Sequence, residues 1–339
     1  MGEAVVAPLA ADSRRIFVAT RDGAVRALDP QTGTVLWKAE ELPGRLSATD
    51  GVLLVRGESG VLTSLHPRTG AVRWRAETAV AGTLPAVLAG GRAWVAGKGL
   101  AAVVLDTGRI AWTDASGAET TSPPAPTNAR LLTGEKDGTL RCRDRATGVS
   151  LWTLRTGEAL LAPPLVDEAR RRLYLGTADR RILEVSLDRG RPGWSWRIGA
   201  DVGHAGLLLN GRILFASYDA VLYALAQGGN LAWRGALPSR PLSAPLVVGS
   251  HVLVACLENQ VVAFDAATGA PAGSFKTVAE IRTPPIRAGG MIVLGMRDRS
   301  VIAYALAGEA PQAPAENPSE TAPEPARPAP PVERPTAGH

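Results

Sequence analysis

A chain of 339 residues with four histidines and two cysteines has few places in which to do chemistry. His66, His204, His251 and His339 stand apart, and none has the close His-Glu-x-x-His partner that lets two imidazoles share a zinc ion. His204 follows Asp201 by three residues and could be argued as a general base, but no Gly-x-Ser-x-Gly elbow supplies a nucleophile for it. Gly97-Lys98-Gly99 lacks the Gly-x-x-x-x-Gly-Lys spacing that cradles phosphate. Glu258-Asn259 offers two oxygen donors where calcium needs about six to eight converging ones. Cys142 and Cys256 lie 114 positions apart in strand-like contexts and read as free, partly buried thiols. No catalytic residue, metal ligand or cofactor-binding residue is expected.

These residues are carried on a repeat, which decides where each can point. A composition 45% hydrophobic, with 37 Gly and 26 Pro, suits a turn-rich all-β chain. One unit of roughly 38 residues recurs: a small-residue or Pro entry, an apolar strand, a tight turn, a second apolar strand, then Asp-x-x-Thr-Gly and Leu-Trp. The first copy shows every part, with apolar stretches at 8–11, 16–20 and 25–28, the turn Arg21-Asp22-Gly23, then Asp29-Pro30-Gln31-Thr32-Gly33 and Val35-Leu36-Trp37. Asp-Gly between apolar strands favours two-residue hairpins, because type I′ turns need positive φ at both central residues. Asp22-Gly23 and Asp137-Gly138 are the clearest, and Ala178-Asp179-Arg180, Tyr218-Asp219-Ala220 and Arg297-Asp298-Arg299 are weaker forms. Glu258-Asn259 falls at the same place and reads as a hairpin turn.

The Thr-Gly turn recurs at Gly33, Gly70, Gly108, Gly148 and Gly269, with Arg189-Gly190 and Gly228-Gly229 in the fifth and sixth copies, so seven units are complete. Trp37, Trp74, Trp112, Trp152, Trp196 and Trp233 follow at intervals of 37, 38, 40, 44 and 37 residues, and Phe275 takes the place in the seventh unit. Trp94 and Trp194 fall outside that series. A tryptophan once per unit is expected as a packing wedge between neighbouring blades. An eighth unit begins at Pro284-Pro285-Ile286 and stops after 301–304 without a fourth strand. The apolar segment 3–6 is expected to pair beside 301–306 and close the ring, which removes exposed edges. The expected fold is therefore an all-β, eight-bladed β-propeller of four-stranded antiparallel blades over residues 1–306, the last blade closed by the N-terminal strand. Residues 307–339, with nine Pro and five Glu, are expected to form a disordered Pro/Ala/Glu-rich tail.

Net charge is +5, and the tail's own balance of −3 leaves +8 on the part before it. The basic residues are scattered over turns without interleaved aromatics, so no nucleic-acid partner is expected. Arg170, Arg171 and Arg172 are nominated for contact with an acidic partner, as is the connection 115–127, expected to be long and irregular. No apolar run near 18 residues and no leader pattern are present, so no membrane-spanning segment is expected. The expected compartment is periplasmic or outer-membrane-associated if a leader is missing from this sequence, and otherwise cytoplasmic.

The Ala-Leu-Asp-x-x-Thr-Gly-x-x-Leu-Trp unit with Asp-Gly turns resembles the quinoprotein-type, PQQ-like propeller repeat, over residues 3–306. Two families carry that repeat. The pyrroloquinoline-quinone dehydrogenases are much longer, and resemblance to them would imply adjacent cysteines, a tryptophan floor for the quinone and Glu, Asn and Asp around calcium; no Cys-Cys pair occurs here. The BamB family of outer-membrane assembly scaffolds is more similar in length, blade number and three-stranded last unit, although its Leu-Ser-Asp-Val-Asp-Thr-Thr-Pro stretch has no counterpart here. That resemblance implies a non-catalytic, monomeric protein-binding scaffold without cofactor, with protein partners in outer-membrane β-barrel assembly. A PQQ-dependent dehydrogenase-like protein and a ligand-sensing propeller are the alternatives.

Overall fold

Each strand pairs antiparallel with its neighbour in sequence, and the strands gather into eight sheets. The computed structural model describes Val5, residues 8–288 and residues 290–305. The first blade, Ala10–Ala11, Ile16–Ala19, Val25–Leu28 and Val35–Ala39, sets the pattern for the rest. The ring is the expected eight-bladed propeller.

Burial along a blade explains its sequence. The two middle strands are covered on both faces by neighbouring blades, so they read as unbroken apolar runs: Ile16–Ala19 and Arg130–Gly134 are buried almost throughout. The fourth strand lies at the rim and alternates exposed with half-buried residues, as in Ser150–Arg155. Among the described residues the core is divided into eight apolar clusters, each shared between adjacent blades. The cluster of Val5, Leu9, Ile16, Val18, Leu28, Ala288 and Val293 joins the first blade to the eighth.

The Asp-Gly hairpins have the expected backbone, with Gly23 at φ 76° and Gly138 at φ 79°. Where glycine is missing, Arg180, Ala220, Asn259 and Arg299 take up the left-handed conformation themselves, at φ 61–75°. In the third blade Arg92–Val104 is itself a hairpin. Leu105 N donates to Gly91 O at 3.0 Å, whereas fourteen residues of straight strand would part them by about 46 Å. The reversal falls at Lys98-Gly99, where Gly99 has φ 112°.

Two expectations are modified. The connection 115–127 is partly strand, because Ile110–Glu119 runs on past a bulge until Glu119 faces Lys98. The eighth blade holds three described strands, Ile286–Ala288, Met291–Gly295 and Val301–Ala305. Of the segment 3–6 expected beside them only Val5 is described, and it bridges Thr20 of the first blade. Thr120, Pro241 and Ile281 make the same bridge at the entries of the fourth, seventh and eighth blades. The tail 307–339 lies outside the described residues.

Candidate protein-binding surface

The surfaces of the ring are carried on blades that the repeated tryptophan ties to one another. Trp37 Nε1 donates to Pro67 O at 2.8 Å, Trp74 to Leu105 O at 2.8 Å, Trp112 to Arg145 O at 3.2 Å and Trp152 to Leu187 O at 3.0 Å. Each acceptor lies three residues before the turn glycine of the next blade, and the ring lies flat against that glycine. A methyl group on Gly70, Gly108 or Gly148 would stand 2.6–2.8 Å from the indole. Glycine is therefore required twice, for its positive φ and for the missing side chain. Trp233 sits the same way on Gly269.

In the fifth blade the wedge is Trp194, not Trp196. Trp194 Nε1 donates to Gln227 O at 3.0 Å and its ring covers Gly229. Trp196 lies half-buried beside it in the same cluster. The signal was in the sequence: every wedge stands four residues after its own turn glycine, and Trp194 does so after Gly190. By the same spacing the seventh blade offers Gly273, so Phe275 is not a wedge; it packs on Tyr304 with ring centroids 4.6 Å apart. Trp94, the other tryptophan outside the series, is fully buried beneath the guanidinium groups of Arg92 and Arg145, 5.7 and 5.4 Å from its ring centre.

In the first, fourth and seventh blades the turn opens on an Asp, and that Asp is occupied in building the turn. Asp29 Oδ1 accepts from Gln31 N, Thr32 N and Thr32 Oγ1 at 2.8–3.0 Å. Asp144 and Asp265 accept the same three bonds, and those bonds hold all three carboxyls below their ordinary range. Among the described residues no group of three or more His, Cys, Asp or Glu comes together to hold a metal ion. The turn carboxylates of Asp29, Asp144 and Asp265 stand on three separate blades and are already engaged, so they do not converge as calcium needs.

His204 is turned away from acid–base work. Its Nε2 stands 3.3 Å from Pro241 O, its ring meets Tyr218 edge-on at 5.7 Å, and burial pushes its pKa down. Cys142 and Cys256 are buried free thiols in different seams, and burial raises both, Cys256 to about 11. Arg56, which nothing in the sequence singled out, is fully buried and gives Nη hydrogen bonds to the carbonyls of Leu84, Ala96 (2.7 Å) and Val80 (3.0 Å). It ties the second blade to the third, and burial brings its pKa down to about 10.

The nominated arginine trio lies at the turn between the first two strands of the fifth blade, and each member is engaged within the chain. Arg170 pairs with Asp167 at 3.8 Å and bonds Gln227 of the sixth blade. Arg171 grips both carboxylate oxygens of Asp188, its Nε 2.5 Å from Oδ2. Arg172 reaches Glu184 at 3.2 Å. The other face of the ring, where each inter-blade connector lies over a hairpin turn, carries a different chemistry. On the sixth and seventh blades Arg240 stacks over Tyr218 at 5.6 Å, and Leu257 N donates to Arg240 O at 2.9 Å. Leu257 is 40% exposed and Val278, in the next connector, 84%. Exposed aliphatic groups beside an arginine stacked on an aromatic ring are typical of protein-contact surfaces.

Comparisons with known proteins agree with this architecture. The profile of the family described as outer membrane protein assembly factor BamB matches the chain in overlapping stretches, 2–84, 21–122, 96–206, 195–272 and 219–310. Proteins of that name from Yersinia pestis and Moranella endobia (strain PCIT) are 25% and 24% identical over 227 and 272 residues, or 64% and 75% of this chain. The matches span 50% and 63% of those relatives' own lengths. Among solved structures, BamB from Moraxella catarrhalis superposes with a TM-score of 0.74 at 19% identity, covering 90% of this chain and 99% of that one. The computationally designed Ika8 protein gives 0.76 at 17% identity, covering 90% of this chain and 97% of its own. Quinohemoprotein alcohol dehydrogenase from Comamonas testosteroni gives 0.64 at 12% identity, covering 86% of this chain and 70% of that one. These likenesses are to the fold.

Proposed function

The chain belongs to the outer membrane protein assembly factor BamB family, and from that premise we propose that it is a non-catalytic scaffold that holds protein partners during outer-membrane β-barrel assembly. The observation that carries this reading is the pairing of a wedge-locked ring with a surface of exposed Arg240, Leu257 and Val278 around the half-buried Tyr218. A rigid ring costs little ordering entropy when a partner docks, so a modest apolar patch gives useful affinity. The turn carboxylates, His204 and both thiols are engaged or buried, which leaves recognition as the work of the surface. In this reading the protein works as a monomer, in the periplasm or at the outer membrane. Among the described residues no helix is long and apolar enough to cross a membrane.

Cross-linked pull-down of tagged protein from the native organism's membrane fraction tests the proposal. Recovery of an outer-membrane β-barrel protein with assembly lipoproteins is expected, reduced at least tenfold by Leu257→Glu with Val278→Glu. Recovery of soluble partners alone would remove the assembly role while leaving the propeller intact. Comparing the whole chain with residues 1–306 assigns any contribution of the tail.

A further inference from the structure

The outer edge of a blade is a row of unpaired main-chain groups, which natural sheets blunt with charge, proline or bulges. Most rim strands of this ring are blunted in that way. Exposed Lys38 stands in the first blade, Arg73 and Arg75 in the second and Arg234 in the sixth. Pro192-Gly193 interrupts the fifth, and Pro271 with Gly273 the seventh. In the third, Ile110–Glu119 leaves register between Asp114 and Glu119. Ser150–Arg155 of the fourth blade differs: past its bulge at Leu151 it runs through uncharged Trp152, Thr153 and Leu154, and at its start Val149 is 62% and Leu151 50% exposed. Its one charged residue, Arg155, is paired with Asp137 at 3.0 Å. Among the described residues the strand pairs on one side only, with Thr139–Asp144. Register fixes which groups it leaves free. Thr156 N donates to Gly138 O at 2.8 Å, and antiparallel pairs alternate between bonded and unbonded. Leu154 therefore exchanges bonds with Leu140, while Thr153 and Arg155 turn their N–H and C=O outward. Trp152, bonded to Leu187 O and lying on Gly190, holds the strand in place.

We propose that this edge takes up an extended segment of an unfolded outer-membrane β-barrel polypeptide as an added outer strand of the fourth blade. Main-chain bonds to Thr153 and Arg155 supply affinity, and apolar side chains set beside Val149 and Leu151 supply selectivity. A transmembrane barrel strand suits such an edge, because it alternates apolar with polar residues over about ten positions and keeps charge off its apolar side. A charged or strongly polar segment would gain the main-chain bonds but leave the two exposed aliphatic side chains uncovered. The edge is ordered before it binds, so little entropy is lost in presenting it. Its availability follows from the register and residues of the fourth blade, and the identity of its occupant rests on the barrel-assembly reading above. Leu257 and Val278 belong to other blades, so the ring can hold an assembly partner and an unfolded strand together.

The probe is a fluorescein-labelled peptide of about ten residues in which Val alternates with Thr between terminal lysines, the pattern of a barrel strand. It is titrated into the full chain and followed by anisotropy. Saturable binding is expected, abolished by N-methylation of alternate peptide nitrogens. Thr153→Lys should weaken it by about tenfold, by placing a charge on the edge. Thr153→Pro should do the same by removing the outward N–H, and the blade keeps its own ladder because that N–H takes no part in it. Ser195→Lys, at the matching exposed place in the fifth blade, should leave binding unchanged. The N-methylated peptide keeps the test decisive if either Thr153 variant fails to fold. No saturable binding would overturn the proposal, as would binding indifferent to N-methylation or to both Thr153 variants. Binding by residues 1–306 but not by the whole chain would give the edge to the chain's own tail, and self-association lost on Thr153→Lys would give it to a second copy; either overturns the proposal. The scaffold reading fails separately, if pull-down recovers no assembly partner. Thr153→Lys should leave recovery of assembly lipoproteins intact while the peptide is lost.

Discussion

At the junction of the third and fourth blades the Trp112 indole lies on Gly148 and donates to Arg145 O; at the junction of the eighth and first blades Gly33 occupies the same turn at nearly the same φ, and among the described residues no indole lies on it. The first seam holds an indole among the described residues and the second does not. Between the seventh and eighth blades the wedge position holds Gly273, and the Phe275–Tyr304 contact stands in for it. The eighth blade is thus flanked by the two seams without an indole, and the ring should be tightest opposite it. Repetition of a backbone does not by itself distribute stability evenly; the side chain at one position per blade does.

The sharpest way to break this comparison is to add one methyl group to each turn. Gly148→Ala meets both the left-handed penalty and the indole, and should cost about 2–5 kcal/mol. Gly33→Ala meets the first alone and should cost about 1–2 kcal/mol. Urea midpoints at unchanged slope measure both, and equal losses would mean that the indole is not what distinguishes the seams.

A second pair sharpens the same point within one blade. Trp194→Ala removes the wedge and its hydrogen bond, for a loss of about 3–5 kcal/mol. Trp196→Ala removes a half-buried ring at the rim, for about 1–2 kcal/mol. The reverse order in thermal unfolding would restore Trp196 to the series.

That reversal also shows what could be read from the chain and why. The Asp-x-x-Thr-Gly turns and Asp-Gly hairpins are local chemistry, visible in four or five residues, so eight units could be counted correctly. The wedge is a contact between blades, and its register is set by the distance from the turn glycine, not by the Leu-Trp pair that drew attention to Trp196. Blade three hid its hairpin because Lys98-Gly99 lacks Asp. Arg56 was invisible: an arginine closing an apolar strand looks like a solvated strand end, and only the fold brings three carbonyls around it. The Arg170–Arg172 trio was legible as charge but not as paired charge, since Asp188 and Glu184 are brought to it by the next two strands.

The two thiols report where the ring opens first. Cys142 lies in the seam of the fourth and fifth blades and Cys256 in that of the sixth and seventh, nearer the eighth. Both are raised above the ordinary thiol range by burial, so at pH 8 neither should react with Ellman's reagent until its seam opens. Cys256 should label faster, by about tenfold for each 1.4 kcal/mol by which its opening is easier. Equal rates would mean that the ring opens only as a whole.

The smallest effect is expected at the arginine trio. Replacing Arg170, Arg171 and Arg172 together by Ala removes exposed ion pairs, which should change stability by no more than about 1 kcal/mol. Binding of a partner recovered by cross-linking should fall only about two- to fivefold, and chiefly in its association rate and salt dependence. The reason is competition: an acidic partner must displace Asp188 from Arg171 and Glu184 from Arg172 before it gains a contact, and the carboxylates left behind would then face it. The connector surface at Leu257 and Val278 has no such internal competitor, so its disruption should cost more. A loss above a hundredfold from the trio would show that those pairs open on docking, and would move the principal contact to the opposite face of the ring; no change at all would take the trio out of the interface.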